Sequence, residues 1–405
     1  MEKLAIRGGT PVRSKPFPKR ILYGNEEIRL VTKAIKSQDL FYWSGTFVKQ
    51  FEEEFPKLYG LKYGVASTSG TAAIHVAVGA VNPNPGDEII TAPITDLGSV
   101  TPILQQNAIP VFAEVDDSYN MDPADVERKI TKRTKAIIAV HLFGNACNMT
   151  AMKLIAKKHN LILIEDCSQA HQVKYKGKFL GTIGDIGTFS LQGAKHMTTG
   201  DGGMTITRHK KFYERMKFFA DKGYRRKGWG AARSYVFLAP CYRMNEQTAA
   251  IGLAQLKKVR KVIEKRIKLG TLLTKLLSKV EGIETAPVTP GSEHGYWLYP
   301  IRMTKWNVNK FAKALTAEGV PSSAGYIGKP IYVCAASLNE KMTYGDSHFP
   351  FDSPYTTREI EYNEDLCPYT QKVLESMVVF PFNECFTTSD IRDIAKAVKK
   401  VAENL

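Results

Sequence analysis

The chain has 405 residues, 43% of them hydrophobic, and 56 basic against 40 acidic side chains give it a formal charge of +16. That length exceeds what one hydrophobic core usually serves, so two domains are expected, at 20–268 and 269–405, with segment 1–19 packing alongside. No apolar run nears the roughly 20 residues needed to cross a bilayer. The opening residues lack a signal-peptide core, and six scattered cysteines without a CxxC pair point to reduced thiols over a disulfide framework or metal site. A cytoplasmic protein is expected.

In chain order, Tyr63–Ala66 reads as a strand and Thr71–Ala80 as the helix after it. Further strands are predicted at Glu88–Ala92, Ile109–Ala113, Lys135–His141, Leu161–Asp166, Ile186–Phe189 and Met204–Thr207. Unalternated apolar runs of this length between helical segments predict a mostly parallel sheet covered on both faces. The expected class is therefore α/β, with a three-layer α/β/α large domain.

Helix Met244–Leu256 continues into a basic stretch, Lys257–Lys268, where apolar residues form one stripe and cations the rest. Such charge can attract an anionic partner or simply form a solvated face. With no interleaved aromatic–basic motif and no zinc-finger spacing, the solvated face is the reading adopted, and neither nucleic acid nor membrane is expected as partner. Beyond residue 270 the pattern changes. Ala286–Gly291 reads as a loop, Tyr296–Ile301 as a strand, Asn309–Glu318 as a helix, 325–370 as loop-like, and Ser389–Asn404 as a closing helix. Together these predict a smaller α+β C-terminal domain.

Three segments carry chemistry. Asp166 ends the apolar run Leu161–Asp166, and Lys195 lies in the turn-rich segment Ser190–Gly203. A lysine after one strand and an aspartate at the end of another are what pyridoxal phosphate chemistry requires. The amine forms a Schiff base with the cofactor aldehyde, and the carboxylate keeps the ring nitrogen protonated. The third segment, Ala66–Ala73, offers backbone N–H groups and hydroxyls of the kind that hold a phosphate at a helix N-terminus. Each has a plainer reading: a strand-end carboxylate, a surface lysine in a glycine-rich turn, an ordinary N-cap. Open parallel sheets bind ligands beyond the carboxyl ends of their strands, which would bring Ser69, Asp166 and Lys195 together. The joint reading is preferred on that ground.

These motifs, with Gly8–Arg13, Tyr119–Pro123, His141–Gly144, Glu165–His171 and Tyr242–Glu246, make the chain resemble the DegT/DnrJ/EryC1/StrS sugar aminotransferases nearly end to end. That family is a branch of the fold-type-I, aspartate aminotransferase-like pyridoxal phosphate enzymes. The opening, Ser190-Leu191-Gln192 and the long C-terminal region look most like the branch acting on cyclitol ketones of the scyllo-inosose type.

The resemblance implies that Lys195 is the Schiff-base lysine and the base that moves the proton, and that Asp166 pairs with the pyridine nitrogen. Gln169 would bond the ring 3′-oxygen, and Gly70, Thr71, Ala72 and Ser190 would hold the phosphate. It further implies pyridoxal 5'-phosphate with no metal, an amino donor (glutamate or glutamine), a keto-sugar or keto-cyclitol acceptor, and a homodimer with shared active sites. A nucleotide-linked keto-sugar is the alternative acceptor. Lysine in place of histidine at 195 favours transamination over dehydratase or lyase chemistry, and no appended helix-turn-helix suggests a regulator.

Two positions depart from the family pattern. Asp96 stands where relatives place an aromatic ring over the cofactor, so Leu97 or a nearby side chain covers the ring, Asp96 meets a polar substrate, or the loop is a variant without catalytic meaning. Cys241 stands where relatives commonly carry an asparagine that reaches the neighbouring subunit's phosphate. Tyr326, Tyr332, Tyr344 and His348 read equally as substrate contacts or as loop packing.

Overall fold

The computed structural model describes residues 2–228 and 230–405. Its centre is a seven-stranded sheet of β1 (Tyr63–Ser67), β2 (Glu88–Thr91), β3 (Ile109–Phe112), β4 (Thr134–Val140), β5 (Ile162–Asp166), β6 (Ile186–Ser190) and β7 (Gly203–Thr207). The spatial order is β1-β7-β6-β5-β4-β2-β3. Strands β2 to β6 pair in parallel, whereas β7 is antiparallel to both β1 and β6. Every residue of β2, β3 and β6 is buried, as expected of strands covered by helices on both faces. The fold is α/β with a mostly parallel sheet.

The reversal at β7 matters for the site. Ser190 pairs with Gly203, so residues 191–202 form a wide hairpin at the carboxyl end of β6, and Lys195 lies in it. Asp166 is the last residue of β5, in register with Val140 and Thr188. Helix Gly70–Val81, buried over most of its length, begins directly after β1 and points its N-terminus at the same edge.

A second sheet, all antiparallel, contains β8 (Ile283–Glu284), β9 (Leu298–Met303), β10 (Ser323–Ala324) and β11 (Met377–Pro381) in the order β8-β9-β11-β10. Its own hydrophobic cluster includes Tyr299, Phe311, Phe380, Ile391 and Val398. The predicted strand Tyr296–Ile301 starts two residues late. Tyr296 takes a left-handed φ of 46°, with its N–H donating to His294 Nδ1 at 2.9 Å, and the Trp297 N–H leaves the ladder for the Phe143 carbonyl at 2.8 Å. The stretch 325–370, expected to be loop-like, carries short helices at Ile331–Cys334, Ala336–Asn339 and Glu364–Leu366 and the start of helix Pro368–Ser376. Strand β11 and the helices Asn25–Lys36, Phe47–Lys57 and Lys210–Phe219 were not anticipated.

Helix Val259–Leu277 spans both cores, giving Val259 and Ile263 to the first and Leu269, Leu273 and Leu277 to the second. Lys261, Lys265 and Lys268 on its outer face are exposed, but Arg266 lies on the buried stripe. The N-terminal segment packs beside the smaller sheet. Glu318 accepts the N–H groups of Ala5 (2.8 Å) and Val12 (3.0 Å), and Leu4 is buried in the second core. Among the described residues, no helix is long and apolar enough to cross a membrane.

Candidate active site

A cavity of about 420 Å³ opens at the carboxyl ends of β4, β5 and β6, lined among others by Gly70, Thr71, Asp166, Gln169, Ser190 and Lys195. Six of the seven sequence-predicted site residues thus meet there. Asp166 is buried at 3% exposure and held on both oxygens. Oδ2 accepts the Ser99 hydroxyl at 2.8 Å, which in turn pairs with Thr95 Oγ1 at 2.7 Å. Oδ1 accepts the Ser168 N–H at 3.0 Å. The carboxylate is therefore aimed before any ligand arrives.

Lys195 enters from the hairpin. Burial of its ammonium lowers its pKa below the ordinary lysine value, while the charges of Asp166 and Asp96 pull the other way. Its Nζ lies 3.9 Å from the centroid of the Trp297 ring.

At the start of helix Gly70–Val81, the Ser69 hydroxyl caps the Ala72 N–H at 3.0 Å. Ala72, the seventh, does not line the cavity, and its N–H is engaged by the N-cap. The first N–H groups, those of Gly70 and Thr71, have no partner within the helix and remain for a ligand. A Cβ at Gly70 would come within 2.6 Å of Ser190 Cβ and 2.8 Å of its Oγ, so only glycine allows the hydroxyl and the helix terminus to converge.

Gln169 is oriented by the Phe143 N–H, which donates to Oε1 at 2.7 Å. Its Nε2 faces the Tyr326 hydroxyl at 3.4 Å, and burial pushes that phenol up to about 12. Tyr326 thus belongs to the site's surroundings. Tyr332 is buried against Phe112 and Tyr362 instead. Tyr344 is exposed, and His348 is taken up by the Lys341 carbonyl.

Asp96 stands on the cavity wall, its Oδ1 accepting the Gly98 N–H at 2.8 Å. Leu97 does not cover the cavity and packs toward the cluster of Tyr332 and Leu338. The aromatic surface at the site comes from Trp297, far along the chain, and nothing local in the sequence signals it. Ser99 and Thr95 were also missed, because a hydroxyl that serves a carboxylate from another strand looks like any loop serine. Cys241 is exposed.

His141, Glu165 and Cys167 bring ligand-type atoms within 4.8 Å of one another. His141 and Glu165 are already engaged: His141 bonds Glu165 at 3.2 Å and the Cys147 N–H at 3.2 Å, and Glu165 accepts Ile183 and Gly184 N–H groups at 2.7 Å each. This group ties β4 to β5 beneath the site.

The donor set fits pyridoxal phosphate: an amine, a pre-aimed carboxylate and a helix N-terminus where Ser190 demands glycine, all in one cavity. The DegT/DnrJ/EryC1/StrS aminotransferase family matches over residues 22–343. The L-glutamine:2-deoxy-scyllo-inosose aminotransferase of Streptomyces paromomycinus is 29% identical, over 99% of this chain and 98% of its own length. The GDP-perosamine synthase of Escherichia coli O157:H7 is 36% identical over a shorter stretch, 64% of this chain and 70% of its own. The solved structure of an aminotransferase from Psychrobacter cryohalolentis superposes with a TM-score of 0.83 at 28% identity, covering 95% of this chain and 98% of that one. By that match and by the residues gathered in its cavity, the chain belongs to the pyridoxal phosphate-dependent DegT/DnrJ/EryC1/StrS aminotransferase family.

Proposed function

We propose that this protein moves an amino group from glutamine or glutamate to a keto-cyclitol or keto-sugar, with Lys195 as the base. The observation that carries this reading is a single one: the Lys195 amine, its pKa lowered by burial, shares one cavity with Asp166 and the N-terminus of helix Gly70–Val81. When bound, the cofactor supplies an aldehyde carbon that takes up the amino group and a pyridine ring that accepts electrons.

This chain's residues then have separate tasks. Lys195 Nζ, with its charged form disfavoured, takes and returns the proton at the substrate carbon. Asp166, fixed by Ser99 and Ser168, holds a proton on the ring nitrogen. Gln169 presents Nε2 to the ring oxygen because its Oε1 is taken by Phe143. The N–H groups of Gly70 and Thr71, with the Ser190 hydroxyl, hold the phosphate.

The Streptomyces relative, named for glutamine and a deoxy-inosose and matching end to end, supports the donor and the cyclitol acceptor. A second reading, a nucleotide-linked keto-sugar, is favoured by the higher identity of the GDP-perosamine synthase. A homodimer is supported by the exposed apolar run at Tyr235, Val236 and Leu238, beside Cys241. Six free cysteines suit a reducing cytoplasm. The two largest hydrophobic clusters support domains at 20–268 and 269–405, with two smaller clusters packing 331–379 onto the first.

The test is the visible spectrum of the cofactor-loaded protein. Glutamine or glutamate should abolish the band in wild type and not in Lys195→Ala, and a keto-cyclitol should restore it. No response to either donor would overturn the proposal. Restoration by a nucleotide-linked keto-sugar alone would select the second reading.

A further inference from the structure

The backbone of the Lys195 hairpin is gripped from outside the cavity by an arginine 175 residues earlier in the chain. Arg20 forks its guanidinium: Nη1 donates to the Lys195 carbonyl at 2.5 Å and Nη2 to the His196 carbonyl at 2.8 Å. Its Nε donates to Glu384 Oε1 at 2.6 Å. The other oxygen of Glu384 accepts Arg266 Nε at 2.9 Å. Arg266 Nη1 reaches the carbonyls of Tyr296 (3.0 Å), Trp297 (3.3 Å) and Phe382 (2.8 Å). One carboxylate thus joins two guanidiniums that hold the main chain beneath both Lys195 and Trp297.

The group is enclosed. The side chains of Arg266, Glu384 and Arg20 are 2%, 12% and 14% exposed. Burial alone would raise the Glu384 carboxyl, yet Arg266 and Arg20 hold it below the ordinary carboxylate range. Burying two like charges is costly, and apolar side chains of similar volume commonly pack as well or better. Bracing alone therefore does not call for this arrangement, whereas holding carbonyls at fixed positions needs planar, forked donors.

We infer that Arg20, Glu384 and Arg266 are positioning residues that set Lys195 Nζ against Trp297 from behind the cavity. The inference rests on Lys195 being the base of the proposed reaction. The amine is faced by the Trp297 ring, Asp166 and Asp96. Behind it lie His171 and His196, both kept neutral by burial, and the two arginines. Releasing the hairpin admits water to the amine, which then titrates closer to an ordinary lysine.

The test compares Arg20→Met and Arg20→Lys with wild type as full-length protein. The pH midpoint of Lys195 acetylation is read by peptide mass spectrometry before cofactor is added, and kcat and KM for the donor after it. For Arg20→Met the midpoint should move up, with kcat down about tenfold and KM within about threefold. Arg20→Lys, which keeps the charge but loses the fork, should fall between. A wild-type midpoint and kcat in Arg20→Met, with only a lowered Tm, would overturn the inference. If Arg20→Met does not fold, Glu384→Gln is read in the same way, and an unmoved midpoint there also overturns it. The acetylation midpoint needs neither donor nor acceptor. Failure of wild type to react with glutamine or glutamate would therefore sink the proposed function separately.

Discussion

Lys195 Nζ stands 3.9 Å from the centroid of the Trp297 indole, and that indole is itself pinned, its Nε1–H donating to the Ala194 carbonyl at 2.9 Å. The amine comes from the hairpin after β6 and the ring from the residue just before β9. An ammonium over an indole face gains on the order of 0.5–2 kcal/mol. That gain opposes the burial that lowers the Lys195 pKa.

Trp297→Ala removes both the ring face and a wall of the cavity, and kcat/KM for the amino donor should fall by about 10- to 100-fold. Trp297→Phe keeps a π face and loses only the bond to Ala194, so its loss should stay under about fivefold. Stopped-flow kinetics on both variants decide the matter. Equal losses would mean that the indole N–H matters and the ring face does not.

Asp96 raises the Lys195 pKa through its charge. In Asp96→Asn that support is gone, and Asp166 is the one carboxylate left to oppose desolvation. The acetylation midpoint of Lys195 should therefore drop further below the ordinary lysine value, with more free amine at neutral pH. A midpoint that stays or rises would show that the Asp96 charge is screened from the amine.

Gly70→Ala drives a Cβ to within 2.6 Å of Ser190 Cβ, so helix terminus and hydroxyl must part. The dissociation constant for pyridoxal phosphate should rise by about 10- to 100-fold, which corresponds to about 1.4–2.8 kcal/mol. Fluorescence titration with the cofactor measures this. Wild-type affinity in the variant would remove the cradle from the phosphate site.

Burial holds several histidines neutral in the fold. His75 and His171 are lowered to about 4, His294 to about 3, and His196 is lowered as well. The unfolded chain takes up these protons below about 6.5 and the folded chain does not until about 4, so stability is lost as pH falls through that window. Each histidine contributes at most about 1.4 kcal/mol per pH unit. Glu52, pushed up to about 7 by burial, works in the opposite sense and offsets about one of them. Urea unfolding at pH 7, 6 and 5 should show falling stability, with a shallower slope in His171→Gln. Constant stability across that range would contradict the neutral assignments.

Leu238 is 98% exposed in the isolated chain, beside Tyr235 and Val236, a costly arrangement unless a second copy covers it. Leu238→Asp should weaken self-association by at least about 100-fold and shift sedimentation toward the 45.2 kDa monomer. A dimer of wild-type strength in this variant would move the interface elsewhere. A wild-type monomer would end the shared-site proposal.

Asp166 and Lys195 are legible in the sequence because each closes a feature with a local signature. An apolar run shows where a buried strand ends, and parallel topology gathers those ends on one edge. Trp297 is not legible in this way. The aromatic pair at 296–297 continues the apolar pattern of β9, and only the left-handed turn at Tyr296, made possible by His294 and Phe143, takes Trp297 out of the strand.

The basic helix shows both sides of the same limit. Periodicity correctly assigns Lys261, Lys265 and Lys268 to a solvated face, because exposure on a helix depends on neighbours within one or two turns. The same reading counts Arg266 among the solvated cations, and there it fails, because Arg266 is buried. Its partner is Glu384, 118 residues away, and beyond it Arg20, 364 residues from Glu384. Which residues enter a strand or a helix follows from short-range pattern, and the sequence alone determines it. Which carbonyl a guanidinium finds depends on closing the chain over hundreds of residues, so only the packing of one sheet against the other decides it.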